Sequence, residues 1–194
     1  TVAFNLAVWL AHDKTGVKAF DLDPQCTLLD VNEVRIEDGY EPAFEVSTDL
    51  DELEALAKDK KRKQPIIVDM SATNMPAMEK AIYLADRVLI PVQPSQADVW
   101  STQRFLKIIR NCADKNKKPE ILGFLNRADT HRGVRETDEA EQALQMMPGI
   151  KAIDIRLYQR TAYRRSFSEG LGVFELDPMG KASKEMKKLA TMLD

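Results

Sequence analysis

VKAFDLDPQ, residues 17–25, begins as a short apolar run and ends in two carboxylates, Asp21 and Asp23, followed at once by Pro24. Bounded by Gly16 on one side and proline on the other, the run reads as a buried strand that delivers its acids at the C-terminal end. Two explanations fit the acids. They can cap a helix through an Asp-Pro turn, or they can hold a metal ion or a water molecule against a phosphate. Pro24 fixes its own φ and stiffens the turn in either case.

Outward from this stretch the same grammar repeats. The chain opens on an apolar helix face (Val2, Phe4, Leu6, Ala7, Trp9, Leu10), which Gly16 stops. FEVST (44–48) reads as a strand before a charged helix from Asp49 to about Lys60. PIIVD (65–69) is again a strand ending in an acid. A helix at 76–85, the strand RVLIPV (87–92), a helix over 97–112 and the strand EILGFLN (120–126) follow. A helix over 134–146, the strand IKAIDI (150–155), a helix over 160–169 and a last helix over 181–193 complete the pattern. Short apolar strands alternating with helices predict an α/β fold, a doubly wound and mainly parallel sheet with helices on both faces. Right-handed crossovers gather the strand C-termini on one edge, where such sheets bind ligands. Asp21, Asp23, Asp69 and Asn126 are the residues that end strands.

Composition narrows the class. The 194 residues suit one domain with a sizeable core, expected to span 1–194. No apolar stretch approaches the roughly 20 residues of a membrane helix, and no leader peptide is visible. The two cysteines, Cys26 and Cys112, form no metal-binding spacing, so a cytoplasmic setting is expected. A net charge of −3 confines any nucleic-acid binding to a local patch.

Each motif has a functional and a plain reading. Asp69 in IIVD has the form of an acid delivered to magnesium, often through water, or it caps the next helix. Asn126 can both donate to and accept from an adenine edge, or it closes a turn. No GxxxxGK[ST] loop is present, and TVAFNLAVWLA reads like the helix that follows such a loop.

Taken together, Thr1 with NLA (5–7), DLDPQ (21–25), IIVD (66–69), IPVQPSQAD (90–98), FLNR (124–127) and QRTAYRRSFSEGLGVFE (159–175) are collinear and span nearly the whole chain. The chain resembles a ParA/MinD-type deviant Walker ATPase, nearest to the small partition proteins of the ParF kind. The resemblance implies that the first strand and the lysine-bearing phosphate loop lie upstream of residue 1. It implies ATP/ADP and Mg2+ as ligands, with Asp23 positioning the attacking water and Asp21 supporting it near the magnesium shell. Asp69 would bind magnesium through water; Thr1 would reach the α-phosphate, and Asn126 with Arg127 would contact the nucleotide. ATP would drive a homodimer. Ser95 and Asp98 match the family segment without a chemical role.

Arg156, Arg160 and Arg164 are spaced by four, with Arg165 beside the last, so a helix there puts them on one face. Lys184 and Lys188, with Lys181 and Lys187, form a second cluster. Such faces are solvated surfaces or bind phosphate backbone without reading sequence. By resemblance they would bind nonspecific DNA, placing the protein on the nucleoid. The implied function is an ATPase that segregates or positions a cargo, such as a plasmid or chromosome, with hydrolysis stimulated by a ParB-like or other adaptor protein. A non-hydrolysing adaptor of the same fold and a positioner of a protein cargo are the alternatives. A membrane partner is not expected, because KKLATMLD has little apolar face.

Overall fold

The computed structural model describes residues 1–13, 15–113, 118–131 and 134–193. These divide into two compact units, Thr1–Met78 with Thr161–Asp194, and Glu79–Arg160.

The first unit runs α1 (Val2–Ala11), β1 (Lys18–Asp21), α2 (Thr27–Glu37), β2 (Glu45–Ser47), α3 (Leu50–Lys58) and β3 (Ile66–Asp69). Helix α4 (Met75–Leu84) crosses the boundary in sequence. The second unit contains β4 (Arg87–Val92), α5 (Gln96–Cys112), β5 (Glu120–Ala128), α6 (Arg135–Gln145) and β6 (Lys151–Tyr158). The chain returns to the first unit for α7 (Thr161–Ser168), α8 (Val173–Leu176) and α9 (Lys181–Leu193).

Each unit holds a three-stranded sheet, ordered β2-β1-β3 and β4-β5-β6. All four strand pairings are parallel, as the apolar strands and intervening helices require. In the first unit Ala19 and Phe20 are fully buried at the middle of the sheet. Phe4 of α1 meets Phe44 at 6.2 Å and Phe167 edge-on at 5.8 Å between centroids. Each fully buried phenylalanine contributes roughly 2–3 kcal/mol of hydrophobic stabilisation. The second unit has its own core of Phe124, Leu125 and Leu157 on the strands, with Ile109 and Leu144 from α5 and α6.

Elements that differ from the sequence expectation include α8, which has no predicted counterpart, and β5, which runs on to Ala128, besides α2 and β6. Helix α2 was given no element, because its core-facing residues are Leu28, Val31, Asn32 and Arg35. Two polar side chains on that face erase the apolar period. Strand β6 continues three residues past Ile155, since the buried alternation Ile153, Ile155, Leu157 runs on through it.

Arg35 explains how a charged residue sits in a core. Its side chain is fully buried, and its Nη1 and Nη2 donate to Glu175 Oε2 and Oε1 at 2.8 and 2.9 Å. Nη1 also donates to Gly170 O at 3.1 Å, and Nε to Pro42 O at 3.2 Å. A bidentate pair with its remaining donors satisfied is the condition under which a buried charge is tolerated. Gly170 lies at φ +64°, and a Cβ there would stand 2.7 Å from the Arg35 backbone nitrogen. Only glycine fits that approach.

Candidate functional site

Strands β1 and β3 pair in register, with Asp21 opposite Asp69. Two consecutive family-like acids therefore emerge side by side at one sheet edge, and Leu22 N donates to Asp69 O at 2.8 Å to tie the strand ends together.

The three carboxylates there have different occupations. Asp21 is 2% exposed, and its Oδ2 accepts from the N–H groups of Leu28 and Leu29 at 2.8 and 3.0 Å. These are orphan donors of the first turn of α2, whose own N-cap Cys26 (φ 51°) offers no side-chain cap. A carboxylate supplied from seven residues back satisfies them and complements the positive helix end, a contribution of about 1 kcal/mol. Oδ1 of Asp21 accepts from Asp23 N at 3.1 Å. Both oxygens are thus engaged by backbone, which makes Asp21 the residue that shapes the turn.

Asp23 is half-buried, and its Oδ1 accepts from Gln25 N at 3.0 Å, an Asx turn that fixes the side chain. Its Oδ2 has no protein partner among the described residues. Asp69 is half-buried as well. Burial pushes its carboxyl above the usual carboxylate range, and the Asp21 and Asp23 charges push it the same way. Thr1, at the start of α1, lies near Asp69. The structure brings Thr1, Asp21, Asp23 and Asp69 together.

This edge can accept a cation. Among the described residues no group of three or more His, Cys, Asp or Glu is arranged to hold a metal ion unaided. One crowded carboxylate, Asp69, fits Mg2+ held largely by waters and phosphate oxygens, since magnesium keeps several waters and needs few protein ligands. Asp21 is already committed to α2 and does not add a comparable free carboxylate.

In the second unit, Asn126 and Arg127 lie just before the end of β5 at Ala128. Arg127 is exposed and has φ 54°, and the register with β6 shifts between Asn126 and Ala128. A non-glycine residue in the left-handed region costs about 1–2 kcal/mol, and such strain concentrates at sites that need a particular presentation. The local bulge takes Arg127 out of the regular ladder, whereas Asn126, half-buried, stays paired with Leu157.

Several motif residues turn out to build the scaffold. Asn5 of NLA is fully buried; its Nδ2 donates to Thr1 O at 2.9 Å, and its Oδ1 accepts from Val173 N at 2.8 Å. It thereby joins α1 to the first turn of α8. Ser95 is the N-cap of α5, accepting from Asp98 N at 3.1 Å while its hydroxyl bonds the Asp98 carboxylate. That reciprocal cap supplies the physical role that sequence left blank for both residues. Glu175 of VFE is opposed in ionising by burial, but Arg35 and the Gly172 N–H outweigh this and hold its carboxyl below the usual value. His12 Nε2 also meets Glu175 Oε1 at 3.1 Å. Sequence reasoning missed Arg35 and Glu175 as a pair; the signal was a charged residue at helical spacing from Leu28 and Val31.

The basic face needs correcting at one position. Arg156 lies on β6, so helical spacing does not align it with Arg164 on α7. Its guanidinium is held by Glu141 (Nε to Oε1, 3.2 Å) and Asp138 (Nη2 to Oδ1, 2.9 Å), which keep it more firmly protonated. Arg160 precedes α7 and stacks over the Tyr158 ring at 5.1 Å. Arg164 and Arg165 are exposed on α7, Arg165 pairing with Glu169 at 2.8 Å. Lys184 and Lys188 are exposed on α9.

Open parallel α/β sheets bind ligands at the C-terminal ends of their strands, which is where these carboxylates stand. The chain belongs to the CobQ/CobB/MinD/ParA nucleotide-binding domain family, whose model matches residues 1–174. It is 25% identical over 119 residues to the maintenance of carboxysome distribution protein A of Halothiobacillus neapolitanus, a match that takes in 61% of this chain. The chain spans about half, 51%, of the length of that relative. In fold it is similar to Cyanothece McdA in complex with ATP (TM-score 0.72, 18% identity, 99% of this chain and 90% of that one). It is also similar to a ParA family ATPase from Chlorobium tepidum TLS (TM-score 0.68, 17% identity, 98% and 92%). The MinC:MinD cell division complex of Aquifex aeolicus gives a TM-score of 0.72 at 17% identity, over 99% and 88%. No helix among the described residues is long and apolar enough to cross a membrane.

Proposed function

We propose that residues 1–194 form one nucleotide-binding domain of an ATPase that dimerises with ATP, binds nonspecific DNA and positions a cargo. The observation that carries the reading is the division of labour at the β1–β3 edge. Asp21 is spent on the backbone, while Asp23 keeps one oxygen free on a turn that Pro24 and Gln25 hold still. A fixed carboxylate with an open oxygen can orient a water and accept its proton, and positioning of this kind dominates phosphoryl transfer. Asp69 would hold Mg2+ through water. When bound, Mg2+ neutralises developing charge on phosphate oxygens. Thr1 and, in the second unit, Asn126 and Arg127 are the proposed nucleotide contacts.

For DNA the proposed residues are Arg160, Arg164, Arg165, Lys184 and Lys188. Arg156 drops out because its charge is already met by Glu141 and Asp138. Contacts from exposed Arg and Lys would give salt-dependent binding without sequence preference. The likeness to a carboxysome distribution protein favours a protein cargo over a plasmid or chromosome. A partner adaptor would stimulate hydrolysis.

The test is DNA binding by the full-length protein with ATP, with ADP and without nucleotide, over a salt series. Binding that requires ATP and weakens in Arg164→Glu/Lys184→Glu, with ATP affinity retained, supports the reading. DNA binding indifferent to nucleotide, or unchanged in the double variant, overturns it.

A further inference from the structure

A groove lies along the outer side of the first unit, between α2 and β2, with a volume of about 550 Å³. Leu29, Asn32, Glu33 and Ile36 form its helical wall at the i, i+3, i+4, i+7 spacing of one face. Asn32 is shared with the core-directed face of Leu28, Val31 and Arg35, while Glu33 and Ile36 turn to the exposed side. Strand β2 forms the other wall and ends its sheet, so its outer side has no neighbouring strand among the described residues. Ile36, 54% exposed, offers an apolar side chain on this wall beside an unpaired strand edge.

The groove has a charge sign as well as a shape. Glu33, Glu45 and Glu52 line it against a single cation, Lys18. Lys18 is already engaged by Glu45 and Glu52 at 2.8 and 2.9 Å, leaving the rim acidic. Beneath it, Asn32 is 2% exposed; its Nδ2 donates to Phe44 O at 3.0 Å, while its Oδ1 accepts nothing among the described residues.

We propose that this groove seats an extended, basic peptide segment of a partner protein, added as a strand beside β2. A groove between a helix and a free sheet edge is the geometry of strand addition, in which main-chain hydrogen bonds give affinity and alternate side-chain pockets give specificity. Lysine or arginine side chains of the segment meet Glu33 and Glu45, and its apolar side chains meet Ile36, Leu29 and Val46. A seated strand also brings N–H donors to a region with one buried acceptor still unmatched. The proposal is independent of ATP hydrolysis and stands or falls apart from it.

The test uses the full-length protein and a synthetic peptide of roughly nine residues alternating lysine and valine, with a glutamate–valine peptide as control. Amide chemical shifts are followed during titration up to about 1 mM, for the parent and for Ile36→Glu and Glu33→Lys. Both substituted side chains are exposed, so each variant should keep the parent melting temperature. The expected result is shifts confined to Glu45–Ser47 and the Leu29–Ile36 face with the basic peptide, at least tenfold weaker in either variant. No shift, equal response to the acidic peptide, or shifts located elsewhere would overturn the proposal. Shifts of the same amides caused by protein concentration alone would assign the groove to a second copy and overturn it too.

Discussion

The first unit contains two sets of buried or half-buried charge, and they are handled in opposite ways. Near the C-terminal end of α2, Arg35 meets Glu175 of α8 in a bidentate pair, with further donors on the Gly170 and Pro42 carbonyls. At the strand ends, Asp21, Asp23 and Asp69 crowd together with like sign, and one Asp23 oxygen has no protein partner among the described residues. The compensated pair holds the fold. Asp69 is the uncompensated member, its ionisation opposed by burial and by the Asp21 and Asp23 charges, a pattern expected where a site waits for a cation and phosphate.

Variants can separate these two regimes, beginning with the largest effect. Arg35→Ala leaves the half-buried Glu175 without its guanidinium, with only the Gly172 N–H and His12 beside it, and should cost about 3 kcal/mol in urea unfolding. A loss below about 1 kcal/mol would contradict the structural role. Gly170→Ala forces a Cβ against the Arg35 backbone at positive φ, and should cost about 2 kcal/mol. Glu175→Gln should cost about 1–2 kcal/mol at neutral pH. The carboxyl of Glu175 titrates below its ordinary 4.5 in the folded protein. Its stabilisation is therefore present above that pH and lost as pH falls through the folded value. The Gln variant should lack this part of the acid limb.

Asp69→Asn sharpens the contrast because its sign is reversed. The folded-state carboxyl is raised above 3.8, so its ionisation costs stability as pH climbs from the ordinary value through the folded one. The Asn variant should melt slightly higher than the parent at neutral pH and lose magnesium-dependent nucleotide affinity. A lower melting point would show that Asp69 belongs with the structural charges.

The order of strands and helices was legible because most elements keep their apolar period, and VKAFDLD and IIVD announced their acids by ending in them. Helix α2 was not, since Asn32 and Arg35 occupy its inner face and only Glu175, far along the chain, makes Arg35 tolerable there. The site was legible in part. DLDPQ placed two acids correctly at a strand end, but residue type alone could not say that Asp21 is used up on the α2 amides while Asp23 is not. The four-residue spacing of Arg156 with Arg160 and Arg164 misled for a related reason. Spacing carries a face only if the segment is helical, and Ile153, Ile155 and Leu157 hold Arg156 in a strand.

The most direct measurement is ATP hydrolysis by the full-length protein and by its Asp23→Ala variant, with ATP affinity and melting temperature recorded alongside. Asp23 has one oxygen on Gln25 N and one open, so its loss should leave fold and binding near parent values and lower turnover by about 100-fold or more. Equal turnover in variant and parent, with binding intact, would contradict the assignment of the attacking water to Asp23.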